Sequence, residues 1–280
     1  MSRDPFKIDG PTCISFSGGR TSAYMLWRVL QSNGGVPDDA VVCFANTGKE
    51  EEATLRFVRD CSERWSVPIT WVEYVAGRSV RVVDFNTASR AGEPFEALIR
   101  DKQYLPNPVS RFCTTELKIL SAARYLWDQS WEEWDNLVGM RAEEPARVAK
   151  VRANPSGGTR GVDRRVPLAD AGIGVRDVLA FWGAHPFDLA LPVVNGKTMN
   201  GNCDLCFLKP PAQRLSLIRE RPARAVWWIA QEASIKSSRI ADGARFTKDG
   251  PSYAQILAYS DSQVEMFDDT EEAIACFCGD

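Results

Sequence analysis

Thr12-Cys13-Ile14-Ser15-Phe16-Ser17-Gly18-Gly19-Arg20-Thr21-Ser22 is the stretch that decides the fold. Thr12 to Phe16 is a short apolar run, the pattern of a strand buried on both faces. It stops at Ser17-Gly18-Gly19, and from Thr21 the apolar period changes. Ala23, Leu26, Trp27 and Leu30 fall at i, i+3, i+4 and i+7, which makes one face of a helix. Asn33-Gly34-Gly35 ends it. Two glycines let a backbone approach a phosphate closely, and a helix N-terminus presents N–H groups to an anion. The hydroxyls of Ser17, Thr21 and Ser22 add donors, and Arg20 offers a forked grip. A tight turn alone explains the glycines. A strand before, a helix after and four further donors within six residues favour phosphate binding.

Working outward, Ala40 to Ala45 reads as a second buried strand, closed by Asn46-Thr47-Gly48. Glu50 to Trp65 reads as a helix with Leu55, Val58, Cys61 and Trp65 on one side, and Pro68 to Tyr74 as a third strand. This β-α-β-α-β order predicts an α/β fold with a Rossmann-like, doubly wound, mostly parallel sheet. The expected nucleotide-binding domain covers residues 1–190, with 75–110 as an insertion. Thr114 to Trp127 reads as a helix, Leu137 to Met140 as a strand and Asn154 to Gly161 as a loop. Residues 191–280 form a C-terminal region with a cysteine loop, a helix and a cysteine tail, packed on the same core.

The 34 basic and 37 acidic residues leave a formal charge of -3, so no global field draws nucleic acid or membrane. The polar N-terminus lacks a signal-peptide stretch. The longest apolar run, Ala225 to Ala230, is too short to span a bilayer. These features place the expected protein in the cytoplasm, where eight cysteines do not suggest a disulfide framework. Cys13, Cys43 and Cys61 sit among apolar residues and read as core. Cys113, Cys203, Cys206, Cys276 and Cys278 sit in polar or glycine-bearing contexts. Cys203-x-x-Cys206 places two thiols where one soft metal centre takes both, with zinc, a redox dithiol and inert thiols as alternatives. Cys276 and Cys278 read as tail thiols or as a mobile nucleophile. His185 is the single histidine, which weakens a hydrolase reading that needs a histidine partner.

Several segments together resemble a known family. Ser17 to Ser22 is similar to the Ser-Gly-Gly-Lys-Asp-Ser loop of the PP-loop, or N-type ATP pyrophosphatase, superfamily. Phe44-Ala45-Asn46-Thr47-Gly48, Cys113-Thr114-Thr115-Glu116-Leu117-Lys118, Val138-Gly139-Met140-Arg141-Ala142-Glu143-Glu144 and Gly201-Asn202-Cys203-Asp204-Leu205-Cys206 resemble, in order, motifs of its phosphoadenosine phosphosulfate (PAPS) reductase branch, phage-borne and bacterial members included. The likeness covers about residues 12 to 210. It implies an adenine nucleotide, ATP or PAPS, with magnesium. Ser17, Gly18, Gly19, Arg20, Thr21 and Ser22 would hold its phosphates, and Phe44, Asn46, Thr47 and Gly48 its nucleoside. Arg111, Lys118 and Arg141 would complete an anionic pocket. It further implies a 4Fe-4S cluster on Cys113, Cys203 and Cys206, with Cys278 or Cys276 as a fourth ligand, zinc being the lesser fit. Cys113, Cys203, Cys206, Cys276, Cys278 and Arg141 are the candidate catalytic residues.

The chain departs from the family at two places. Arg20-Thr21 replaces Lys-Asp, and the tail Ala275-Cys276-Phe277-Cys278-Gly279-Asp280 lacks the Glu-Cys-Gly-x-His nucleophile motif. The expected function is a sulfur-metabolism enzyme, either a sulfonucleotide reductase (an oxidoreductase) or an ATP-dependent sulfurtransferase. A nucleic-acid thiolation enzyme of the ATP pyrophosphatase type and a non-catalytic nucleotide-binding module stand as alternatives. The implied partners are the nucleotide and a thiol or sulfur-donor protein. A homodimer stays open, nucleic acid is unsupported by net charge, and no membrane is expected.

Overall fold

The computed structural model describes residues 4–194, 197–235 and 244–262. The chain opens with β1 (Thr12–Ser15), α1 (Arg20–Asn33), β2 (Ala40–Asn46), α2 (Glu52–Arg64) and β3 (Ile69–Val75). The segment expected as an insertion holds β4 (Ser79–Val83) and α3 (Glu93–Lys102). A π-helix, Thr114–Leu120, runs directly into α4 (Ser121–Asp128). Then follow β5 (Trp134–Leu137), α5 (Pro145–Ala153), β6 (Val162–Arg165), α6 (Pro167–Asp170) and α7 (Val175–Ala184). A small hairpin pairs β7 (Val193–Val194) with β8 (Lys197–Thr198). Three helices close the described chain: α8 (Pro211–Glu220), α9 (Arg224–Ser234) and α10 (Tyr253–Ser262).

The main sheet has six strands in the order β4-β3-β2-β1-β5-β6. All neighbours run parallel except β3 and β4. The fold is thus the doubly wound, mostly parallel α/β class expected. The chain moves outward from β1 to β2 and β3, then returns to place β5 on the other side of β1. That reversal opens a crevice beyond the C-terminal ends of β1 and β5, where ligands bind in open α/β sheets.

The alternation of side chains along the strands separates two cores. Ile14, Val42, Phe44 and Leu137 face α1, α2 and α7, with Met25, Leu26, Val29 and Trp182 among the buried partners. Cys13, Cys43, Val72 and Trp134 face the other way, onto Ala123 and Leu126 of α4. A third core joins Tyr74, Phe95, Leu98 and Leu117 to Leu205, Leu215, Trp228 and Tyr253. The described residues from 203 onward therefore pack on Tyr74 and the segment that follows it.

Two boundaries differ from the sequence reading. The fifth strand is Trp134–Leu137, and Val138 to Met140 is the turn that follows it. The apolar run Leu137 to Met140 suggested a strand because Met140 is buried, but its burial comes from a separate cluster with Val148, Val151 and Val166. β4 and β6 escaped notice because their alternation is short and largely polar: Ser-Val-Arg-Val-Val and Val-Asp-Arg-Arg.

Candidate active site

The loop Ser17 to Gly19 leaves the end of β1 and enters α1 at the switch point. Gly18 has φ +78, and a Cβ there would lie 2.6 Å from Thr54 Cγ2. Only glycine fits that conformation and that space. Ser17 donates its backbone N–H to Ser22 Oγ at 3.1 Å, and the two hydroxyls lie 2.9 Å apart. Ser22 Oγ also donates to Gly19 O at 3.0 Å. Gly19 caps α1 without a side-chain bond, and the first turn carries no acidic residue. The positive end of the helix dipole is thus left for an anion.

Gly139, on the turn after β5, packs against this loop: a Cβ there would sit 3.2 Å from Ser22 Cα. Arg141 secures the same junction. It donates to Thr21 Oγ1 at 2.9 Å and to Glu143 at 2.7 Å, while its own N–H reaches Glu144 at 2.9 Å.

Between the loop, the sheet and the π-helix lies a cavity of about 1110 Å³, its open mouth included. Ser15, Ser17, Ser22, Lys118, Asn136 and Arg164 supply its polar wall, and Cys13, Leu126 and Trp134 its apolar end. The π-helix matters here, because its wider turn brings the consecutive residues Lys118 and Ile119 both to the lining. Lys118 Nζ lies 3.9 Å from Glu50 Oε1, whose side chain is almost wholly buried. Glu50 accepts from the N–H and hydroxyl of Thr47, each at 2.9 Å.

Of the residues expected to touch nucleotide, Ser17, Ser22 and Lys118 line this cavity. Others hold it up from behind. Arg20 is buried, donates through Nε and one terminal nitrogen to Asp188 at 2.6 and 2.5 Å, and reaches Leu191 O at 2.9 Å. Its fork is occupied by the Asp188 carboxylate. The turn Phe44 to Gly48 is likewise covered. Phe44 packs edge-on against Trp71, with ring centroids 4.8 Å apart. Asn46 is fully buried and donates to Glu73 at 2.6 Å and to Ser89 O at 2.9 Å. A Cβ on Gly48 would meet the Gly92 backbone at 3.1 Å. The segment around Ser89 to Pro94 packs against this turn. Arg111 donates to Pro108 O at 3.0 Å and is not part of the lining.

Cys113, Cys203 and Cys206 all pack, partly buried, against the third core. Cys203 forms an isolated antiparallel bridge with Glu50 and lies 3.6 Å from the Thr47 hydroxyl. Burial, aided by Glu50, holds its thiol well above the usual range. Asp204 is anchored by Lys49 at 3.0 Å and by Trp228 Nε1 at 2.9 Å. Among the described residues, no group of three or more His, Cys, Asp or Glu side chains is arranged to hold a metal ion. Cys276 and Cys278 lie outside the described residues. Sequence reasoning missed Ser15, Glu50 and Asn136, and had Arg164 only within a basic stretch, Arg160 to Arg165; for the strand residues, the alternate positions along β1, β5 and β6 were the available signal.

Fold and cavity define a doubly wound α/β protein with an anion-receptive loop at its switch point. The chain is 31% identical over 247 residues to the uncharacterised nin region protein ORF290 of Escherichia phage lambda, covering 84% of this chain and 77% of that one, and it belongs to that protein's family. No family model matches it. Among solved structures, the U34-tRNA thiolase NcsA from Methanococcus maripaludis, with its 4Fe-4S cluster, is similar with a TM-score of 0.42 and 15% identity over 99% of this chain and 82% of that one. No helix among the described residues is long and apolar enough to cross a membrane.

Proposed function

We propose that the protein is an adenine-nucleotide-dependent enzyme of the ATP pyrophosphatase type, which activates an acceptor for sulfur transfer. The observation that carries this reading is the uncapped Ser17–Ser22 loop opening into a switch-point cavity that Lys118 lines. The triphosphate lies on the loop, with the N-terminus of α1 and Lys118 offsetting its charge. An acceptor oxygen attacks the α-phosphorus, the bond to the β-phosphate breaks, and pyrophosphate leaves. A sulfur nucleophile then displaces AMP from the adenylated acceptor. Thiolation of a nucleic acid is one form of this chemistry. Sulfonucleotide reduction is the second reading, favoured by the packing of Cys113, Cys203 and Cys206 on one core.

Product analysis under anaerobic conditions separates the two. With ATP and magnesium the first reading predicts pyrophosphate release that Lys118→Met lowers at least tenfold. Sulfite from PAPS, with no pyrophosphate from ATP, would establish the second in its place.

A further inference from the structure

The sheet side of the cavity carries one polar residue from each of three adjacent strands: Ser15, Asn136 and Arg164. Asn136 and Arg164 are register partners across β5 and β6. Ser15 donates to Asn136 Oδ1 at 3.0 Å, which orients the amide and leaves its two Nδ2 donors available along with a second lone pair. Arg164 donates Nε to Pro155 O at 2.9 Å and a terminal nitrogen to Asn154 O at 2.5 Å. These carbonyls fix its plane without neutralising it. Among the described residues no carboxylate lies within ion-pair distance of it. On the facing wall Lys118 is the second cation, held 3.9 Å from the buried Glu50 behind it, and no Asp or Glu is itself part of the lining. In a chain of net charge -3, a cavity with two cations and no acid in its lining is a receptor for anions. Burial weakens the hold of Arg164 on its proton, a cost that a bound anion reverses.

The 5′-phosphates of a nucleotide account for the loop, and they leave the wall formed by Asn136 and Arg164 without an anion. We propose that this wall is a second oxyanion subsite, which docks an acceptor bearing a phosphate or carboxylate beside the nucleotide. The proposal rests on the ATP reading above and names the acceptor class for it. Donors fixed in one plane suit the forked recognition of such a group.

Calorimetric titration of inorganic phosphate, and in parallel acetate, into protein saturated with α,β-methylene-ATP and magnesium tests it. At least one of the two anions should still bind. Arg164→Met and Asn136→Ala should each weaken that anion at least tenfold more than they weaken the ATP analogue. Arg164 is only partly buried, and a thermal melt verifies that its variant retains the fold. Failure of both anions to bind once the analogue is present overturns the proposal, as does an equal loss of anion and analogue in both variants. If the analogue itself does not bind, the nucleotide reading fails separately. The subsite is then judged on nucleotide-free protein: loss of anion binding in Arg164→Met but not in Ser22→Ala supports it, and the reverse overturns it.

Discussion

Asp188 holds Arg20 through two short contacts, and the Arg20 side chain is only 8% exposed. Removing the carboxylate leaves a buried guanidinium with a carbonyl and a hydroxyl as its partners. Asp188→Ala should therefore cost about 2 kcal/mol, below the ~3–5 of a fully buried pair because Asp188 is itself over a third exposed. Chemical denaturation measures it, and a cost near zero would show that water replaces the pair. Gly18→Ala meets both strain at positive φ and the Thr54 methyl, so a loss of about 1–3 kcal/mol and of nucleotide affinity is expected together. At this scale the hydroxyls and glycines of the loop were legible in the sequence, because their chemistry is local. The role of Arg20 was not, since its partner lies 168 residues away.

Helix α7 ends on His185 inside an aromatic cage of Trp65, Phe181, Trp182 and Phe187. Trp65 donates its indole N–H to His185 Nε2 at 3.3 Å, which requires that nitrogen to be unprotonated. Burial lowers the imidazole's pKa from its usual 6.5. The unfolded chain thus binds the proton more readily than the folded one. The stability tied to neutral His185 is complete above pH 6.5 and falls away as pH drops through that value toward the lowered folded one. His185→Phe keeps a ring in the cage and removes the proton site, so its melting temperature should decline less than the wild type's between pH 7 and 5. Equal declines would remove His185 from the account. Elements with a single strong period, such as α1 and β2, could be read directly. The π-helix could not, because its seven residues carry the same letters as an ordinary helical turn and its wider winding is set by packing on the third core. Nor could β6, whose polar residues owe their strand to pairing with β5.

Across the whole molecule, the two cores on either side of the sheet and the switch-point cavity follow from a single topological fact: β1 lies between β2 and β5. The order of the first three strands made the doubly wound class legible from the N-terminal quarter of the chain, but not the place of β5 beside β1. The attachment of Leu205, Leu215, Trp228 and Tyr253 to the segment around Phe95 and Leu117 was open to no local signal. The account's central claim is that the switch-point loop and the π-helix together hold the phosphates of ATP. Hydrogen–deuterium exchange of the intact protein, with and without ATP and magnesium, tests this most directly. Slowed exchange concentrated in residues 17–23, 114–120 and 138–141 is the predicted result. Unchanged exchange there, with protection appearing elsewhere in the chain under saturating ATP, would contradict it.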